Sequence, residues 1–278
     1  MQPLADLEVG VMFWAGDNAL ATIQRAKGAG VRCGQLGIPP GMQLAGAASA
    51  WRAALEAEEF TLATVFAAYR GESYADIPTV QRTVGFIPPA TRAEREARTL
   101  ELSDFAAALG VASIACHIGF VPEDPSDPDY VAVREMVRRV ADHAAGHGQS
   151  FALETGQEPA HVLLKFFEDV HRPNLRINFD PANLILYGSD EPIEALGLLG
   201  KHVITVHCKD GNWPPKDSPG ALGTEMPLGQ GEVRIDRFIA KLKEVGYKGP
   251  LCIEREIEDQ AQKLRDIKMA IGLLERLR

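Results

Sequence analysis

Cysteine is scarce: four residues in a chain of 278, with no CxxC pair. Cys33, Cys116, Cys208 and Cys252 each lie in or beside an apolar run. That pattern excludes a disulfide framework or a thiolate metal cluster and points to buried, reduced thiols. Long hydrophobic runs are also lacking, so no stretch reaches bilayer-spanning length and no membrane partner is expected. The opening MQPLADLEVG has no basic segment leading into an apolar one. No secretory signal is therefore expected, and a cytoplasmic location follows by default. Basic runs are missing too. Against 29 Lys and Arg stand 38 Asp and Glu, a net charge of −9. A nucleic-acid partner is disfavoured, and the substrate is expected to be neutral or held through a local cation. Finally, no GxGxxG follows the first strand and LGQGEV (228–233) has no P-loop lysine, so neither a dinucleotide nor a phosphate site is assigned.

What the chain does have is alternation. Apolar residues make up 46% of it, enough for a sizeable core. Short apolar strands are expected at 9–14, 31–35, 60–66, 111–117, 150–154, 175–180, 202–207 and 250–254. Each is followed by a helical pattern, clearest where Val133, Val137, Val140, Ala141 and Ala144 share one face. A long loop at 69–90, carrying Tyr69 and Tyr74, is expected to cover part of a site, and a second Gly/Pro-rich loop runs from 211 to 231. Eight such units in this length fit a closed (β/α)8 TIM barrel filling residues 1–278 as one domain. An open, doubly wound sheet is the rival.

In a barrel all strand carboxyl ends open onto one mouth. Four of these strands end in Glu154, Asp180, His207 and Glu254. Three carboxylates and an imidazole suit Mn(II) first, then Mg(II), Co(II) or Zn(II), and are unlike a thiolate-rich structural zinc site. Each residue also has a plain reading. Glu154 would cap a helix, Asp180 would open a turn before Pro181, His207 would be a satisfied core histidine, and Glu254 would pair with Arg255. Four coincidences at equivalent positions favour the shared metal. Around them stand His117 at the end of strand four, Glu158, Lys209, and the aromatic residues Trp14 and Trp213 as candidate substrate contacts. Lys209 pairing with Asp210 and Glu158 capping a helix are the scaffold alternatives.

Together, LETGQE (153–158), INFDPANL (177–184), VHCKDG (206–211), LGQGEV (228–233) and CIERE (252–256) resemble the xylose-isomerase-like TIM-barrel superfamily, its ketose 3-epimerases in particular. The resemblance implies that Glu154, Asp180, His207 and Glu254 hold a divalent metal and that Glu154 and Glu254 are the acid–base pair. Where such enzymes carry a substrate-contacting histidine, three residues after the metal aspartate, this chain has Asn183, which hydrogen-bonds but does not titrate. The arginine after the lysine–aspartate segment has no match in GNWPPKDSPG. The implied activity is isomerisation or epimerisation of a small ketose or related polyol by proton abstraction beside a carbonyl, through an enediolate. A keto-inositol-type dehydratase and a non-catalytic sugar- or metal-binding protein are the alternatives. Self-association through the outer barrel surface, giving a homo-oligomer, is left open.

Overall fold

Strands rich in Val, Ile and Phe fit a pleat covered on both faces, and here they close on themselves. The computed structural model describes residues 4–278. Along the chain lie β1 (Val9–Trp14), α1 (Ala19–Lys27), β2 (Cys33–Ile38), α2 (Ala48–Ala57), β3 (Thr61–Ala67), α3 (Ile77–Thr83), α4 (Arg92–Ala108) and β4 (Ser113–Cys116). Then come α5 (Pro128–Gly146), β5 (Ser150–Glu154), α6 (Ala160–Val170), β6 (Leu175–Phe179), α7 (Pro181–Tyr187), α8 (Pro192–Leu199) and β7 (Val203–Cys208). The chain finishes with β8 (Asp210–Asn212), β9 (Thr224–Met226), α9 (Ile235–Glu244), β10 (Leu251–Ile253) and α10 (Gln260–Leu277).

Eight strands form a closed barrel in the order β1-β10-β7-β6-β5-β4-β3-β2, with every pair parallel. The expected (β/α)8 barrel is therefore observed, and the open sheet is excluded by the β1–β10 seam. No helix among the described residues is long and apolar enough to cross a membrane. All four cysteines are buried and free, as their sequence context implied.

Three stretches differ from expectation. The 69–90 loop contains α3, which Asp76 caps by accepting from the Thr79 N–H at 2.7 Å. The 211–231 loop contains the antiparallel β8–β9 pair. β2 is shifted, running on to Ile38 through two glycines. A Cβ at Gly37 would stand 2.6 Å from the Trp14 ring, so that glycine admits Trp14 rather than ending the strand.

Most apolar side chains lie between strands and helices in one continuous core. The barrel interior is different. The alternation of a strand sends Met12, Phe66, Ala115 and Ala152 inward as a separate small cluster. Beside them Asn178 Oδ1 accepts from Gln35 Nε2 at 3.0 Å and from Thr205 Oγ1 at 2.7 Å. One inward step further along each strand lies the mouth.

Candidate functional site

The same two-residue step carries Ala152 to Glu154, Asn178 to Asp180, Thr205 to His207 and Cys252 to Glu254. Parallel register aligns these steps, with Cys252 opposite His207 and Glu154 opposite Asn178. Glu154, Asp180 and His207 are buried, and Glu254 keeps only 9% of its side chain exposed. One ligand atom from each lies within 4.8 Å of the others. Their centre is His207 Nδ1, which stands 2.8 Å from Glu154 Oε1, 3.2 Å from Glu254 Oε2 and 3.7 Å from Asp180 Oδ2.

The four groups are held in an arrangement that could take a metal ion. Gln35 uses its amide N–H on Asn178, so its Oε1 is left to accept from His207 Nε2 at 3.1 Å. That contact turns Nδ1 toward the carboxylates. Asp180 does two things at once. Its Oδ1 caps α7 by accepting from the Asn183 N–H at 3.0 Å, while its buried Oδ2 has no hydrogen-bond partner. A buried carboxylate oxygen aimed at three other ligating atoms fits a divalent cation. The plain readings of Asp180 as a cap and as a ligand are thus compatible. Glu254 does not pair with Arg255, which instead binds Glu225 and Asp266.

The electrostatics are those of crowded like charges. Burial pushes Asp180 up, helped by Glu154 and Glu254 and opposed by Lys209 and His207. Burial acts against the charged form of His207 too, yet Glu254 and Glu154 outweigh it and hold the imidazole well above its usual range. For Glu254 the burial effect is overcome by His207 and Lys209, which keep it ionised. Lys209 is likewise kept charged, against burial, by Glu254, Glu256 and Asp180.

Around this quartet, the remaining sequence candidates separate. His117 Nε2 lies 3.3 Å from Glu154 Oε2, and Asn183 Nδ2 donates to Glu154 Oε1 at 3.2 Å. Lys209 Nζ reaches Glu254 at 3.0 Å and Glu256 at 3.2 Å. Its partner is not Asp210, whose carboxylate instead accepts from the N–H groups of Gly211, Gly229, Gly231 and Val233 and so shapes the LGQGEV loop. Trp14, His117, Asn183 and Lys209 line a cavity of about 290 Å³ at the mouth, together with Glu154 and Glu254. Glu158 and Trp213 are not among its lining residues. Glu158 is buried and accepts from the Val121 N–H at 2.8 Å, fixing the segment after β4. Trp213 is 39% exposed on the loop beyond β8.

The cavity also contains residues that sequence reasoning missed. Phe66 and Tyr187 join Trp14 in an aromatic wall that Tyr74 completes from the expected covering loop, and Glu72, Glu225 and Glu256 add carboxylates. Tyr74 lies in the loop expected to cover the site; Tyr69 does not line it, and its hydroxyl is 2.7 Å from Thr99 Oγ1. Gln35 was also missed. Its signal was a polar residue inside an otherwise apolar strand.

A family model described as a xylose isomerase-like TIM barrel matches residues 23–277. A crystal structure of a xylose isomerase domain protein from Planctomyces limnophilus is 44% identical, covers 98% of both chains and has a TM-score of 0.93. A D-allulose 3-epimerase from Methylomonas in complex with D-allulose is 19% identical, with a TM-score of 0.70 over 99% of this chain and 98% of that one. At that identity the likeness is one of fold. An L-ribulose-5-phosphate 3-epimerase of Salmonella typhi is 26% identical over 136 residues, 48% of this chain and 45% of its own. The chain spans about half the length of the curated relatives it matches.

Proposed function

Because the chain belongs to the xylose isomerase-like TIM barrel family, we propose that it is a divalent-metal-dependent isomerase or epimerase of a small, unphosphorylated ketose or related sugar. The observation that carries this reading is the convergence of Glu154, Asp180, His207 and Glu254, with Asp180 Oδ2 left without a hydrogen bond. The names of the allulose and ribulose-phosphate epimerases support the reaction class. The chemistry of the cavity supports the uncharged substrate. Five glutamates line it, Glu72, Glu154, Glu225, Glu254 and Glu256, and Lys209 is the one Lys or Arg among the lining residues. That lysine is already engaged by two of the glutamates. A phosphate would meet carboxylates with no free lysine or arginine to offset them. Sugar hydroxyls would find acceptors below and an aromatic wall beside them.

The four ligating residues would hold a divalent ion, Mn(II) foremost, which supplies Lewis acidity toward a carbonyl oxygen. The proton chemistry falls to the two glutamates. Glu254, kept ionised beside Lys209, takes the proton from the carbon next to the carbonyl, and the C–H electron pair moves into an enediolate. Glu154, entering the cycle as the protonated acid, delivers its proton to the other face of that carbon for epimerisation or to its neighbour for isomerisation, and the two glutamates end with their protonation states exchanged, to be reset through solvent. His117 and Asn183 hold the two oxygens of Glu154 in place for that transfer. The aromatic wall excludes water from the exposed carbanion.

The test is hydrogen exchange in deuterated water, with free and phosphorylated ketoses and added Mn(II). Deuterium entering beside the carbonyl of a free ketose is expected. Metal binding without exchange across a broad panel of sugars would refute the reading. A dehydrated product in the NMR spectrum would move the chain to the keto-inositol class instead.

A further inference from the structure

Away from the barrel mouth, a second group of ligating side chains meets where α4 packs on α5. His143, in the last turn of α5, and His147, the residue that caps it, are four residues apart and lie on the same side. Asp104 faces them from α4. Both histidine Nε2 atoms reach the same carboxylate oxygen, Oδ1 of Asp104, at 2.7 and 2.8 Å. The two rings meet edge to face with centroids 5.2 Å apart. The side chains of His143 and His147 are 32% and 36% exposed, so solutes reach them. The backbone beneath is fixed on both sides of the cluster. Arg139 makes a two-pronged ion pair with Glu96, at 2.5 and 2.7 Å. Buried Ser103 donates to Gln149 at 2.6 Å, and Gln149 donates back to the Ser103 and Val111 carbonyls.

We propose that Asp104, His143 and His147 form a second, surface cation site that takes borderline transition metals, Zn(II) or Ni(II), rather than Mg(II) or Mn(II). Two imidazole nitrogens and one carboxylate make a nitrogen-rich set, the reverse of the oxygen-rich quartet at the mouth, and softer ions prefer it. The three donor atoms already lie within 4.8 Å of one another. Around a tetrahedral ion with bonds of about 2.0–2.1 Å, neighbouring donors stand roughly 3.3 Å apart. The contacts therefore need to open by only about half an ångström, within the freedom of half-exposed side chains. Three protein ligands leave a fourth position to water. Asp104 is ready for the role. Burial, the largest single effect, raises its carboxyl, but the bonds from His147 and His143 together outweigh it and hold it below the ordinary range. An ion there staples α4 to α5 independently of the sugar chemistry, so the chain would carry two cation sites of different selectivity.

The experiment is a Zn(II) titration against a chromophoric chelator, using the full chain. The wild type should bind two equivalents. His143→Ala and His147→Ala should each lose one, with affinity at that site at least about tenfold weaker, while Mn(II) binding at the mouth stays unchanged. In an Asp180→Asn background one zinc equivalent should remain, and adding His143→Ala should remove it. Zn(II) should also raise the melting temperature of Asp180→Asn and leave that of the double variant unmoved. Zinc stoichiometry and affinity that do not respond to either histidine substitution would overturn the proposal.

Discussion

Glu158 gives the sharpest quantitative test. It is 3% exposed, its Oε1 accepts from Val121, and its Oε2 is buried without a partner. Burial pushes its carboxyl from the ordinary 4.5 up to about 8, and the backbone hydrogen bonds offset only part of this. A folded value above the unfolded one means that the fold prefers the protonated acid. Below about pH 4.5 both states hold the proton and nothing is lost. Between there and about pH 8 only the unfolded chain releases it, so stability falls by about 1.4 kcal/mol per pH unit. Above that the loss levels off. Glu158→Gln keeps an acceptor for Val121 and removes the titration. The variant should exceed the wild type in stability by about 1 kcal/mol at pH 5, about 3 at pH 6.5 and about 4 at pH 8, these being upper values. Urea unfolding at the three pH values measures the differences. An advantage independent of pH, or a less stable variant at pH 8, would refute the reasoning. Since Glu158 does not line the cavity, deuterium exchange should survive the substitution, which separates a scaffold role from a substrate contact.

Three other perturbations follow from contacts at the mouth. Gln35→Leu removes the acceptor that orients His207, and Mn(II) affinity measured by calorimetry should fall by roughly 10- to 100-fold with the ligand quartet intact. Gly156→Ala places a Cβ 2.6 Å from the Asn183 Cβ at a φ of +151°. It should cost about 2 kcal/mol of stability, and exchange activity should fall by about tenfold or more as Asn183 leaves Glu154, read from melting and deuterium uptake together. Lys209→Met strands two carboxylates beside Asp180 and should lower stability by about 3 kcal/mol. Saturating Mn(II) should then raise the melting temperature of the variant more than that of the wild type, because the ion replaces the lost positive charge.

The barrel and its quartet were legible because both are written in local pattern. A period of two puts every second residue inward, and a charged residue at the end of an apolar strand stands out at Glu154, Asp180, His207 and Glu254. Asp180 shows how a local signal was read too narrowly. Asp-Pro reads as a turn, yet Asp180 as N-cap and Pro181 in the first turn also specify α7. That short helix is what brings Asn183 to Glu154. β8 and β9 left no trace because three residues each, set among glycine and proline, carry no periodicity.

The cavity wall was harder to read for a different reason: its residues sit on loops whose paths are set by distant partners. Glu72 reaches the cavity because its carboxylate accepts from the backbone N–H groups of Tyr69 and of Gly85, thirteen residues on. Glu225 is placed by Arg255 and by the Glu256 N–H, about thirty residues on in sequence, just past the neighbouring strand β10. Trp213, one residue past a strand, had the right type and neighbourhood yet is not among the lining residues, since it follows β8, which pairs with β9 outside the barrel sheet. Strand ends are delivered to the mouth by the barrel itself, so their chemistry can be read from sequence. Loop residues are delivered by tertiary hydrogen bonds, so substrate choice, which lives on the loops, is decided by contacts that no local pattern encodes.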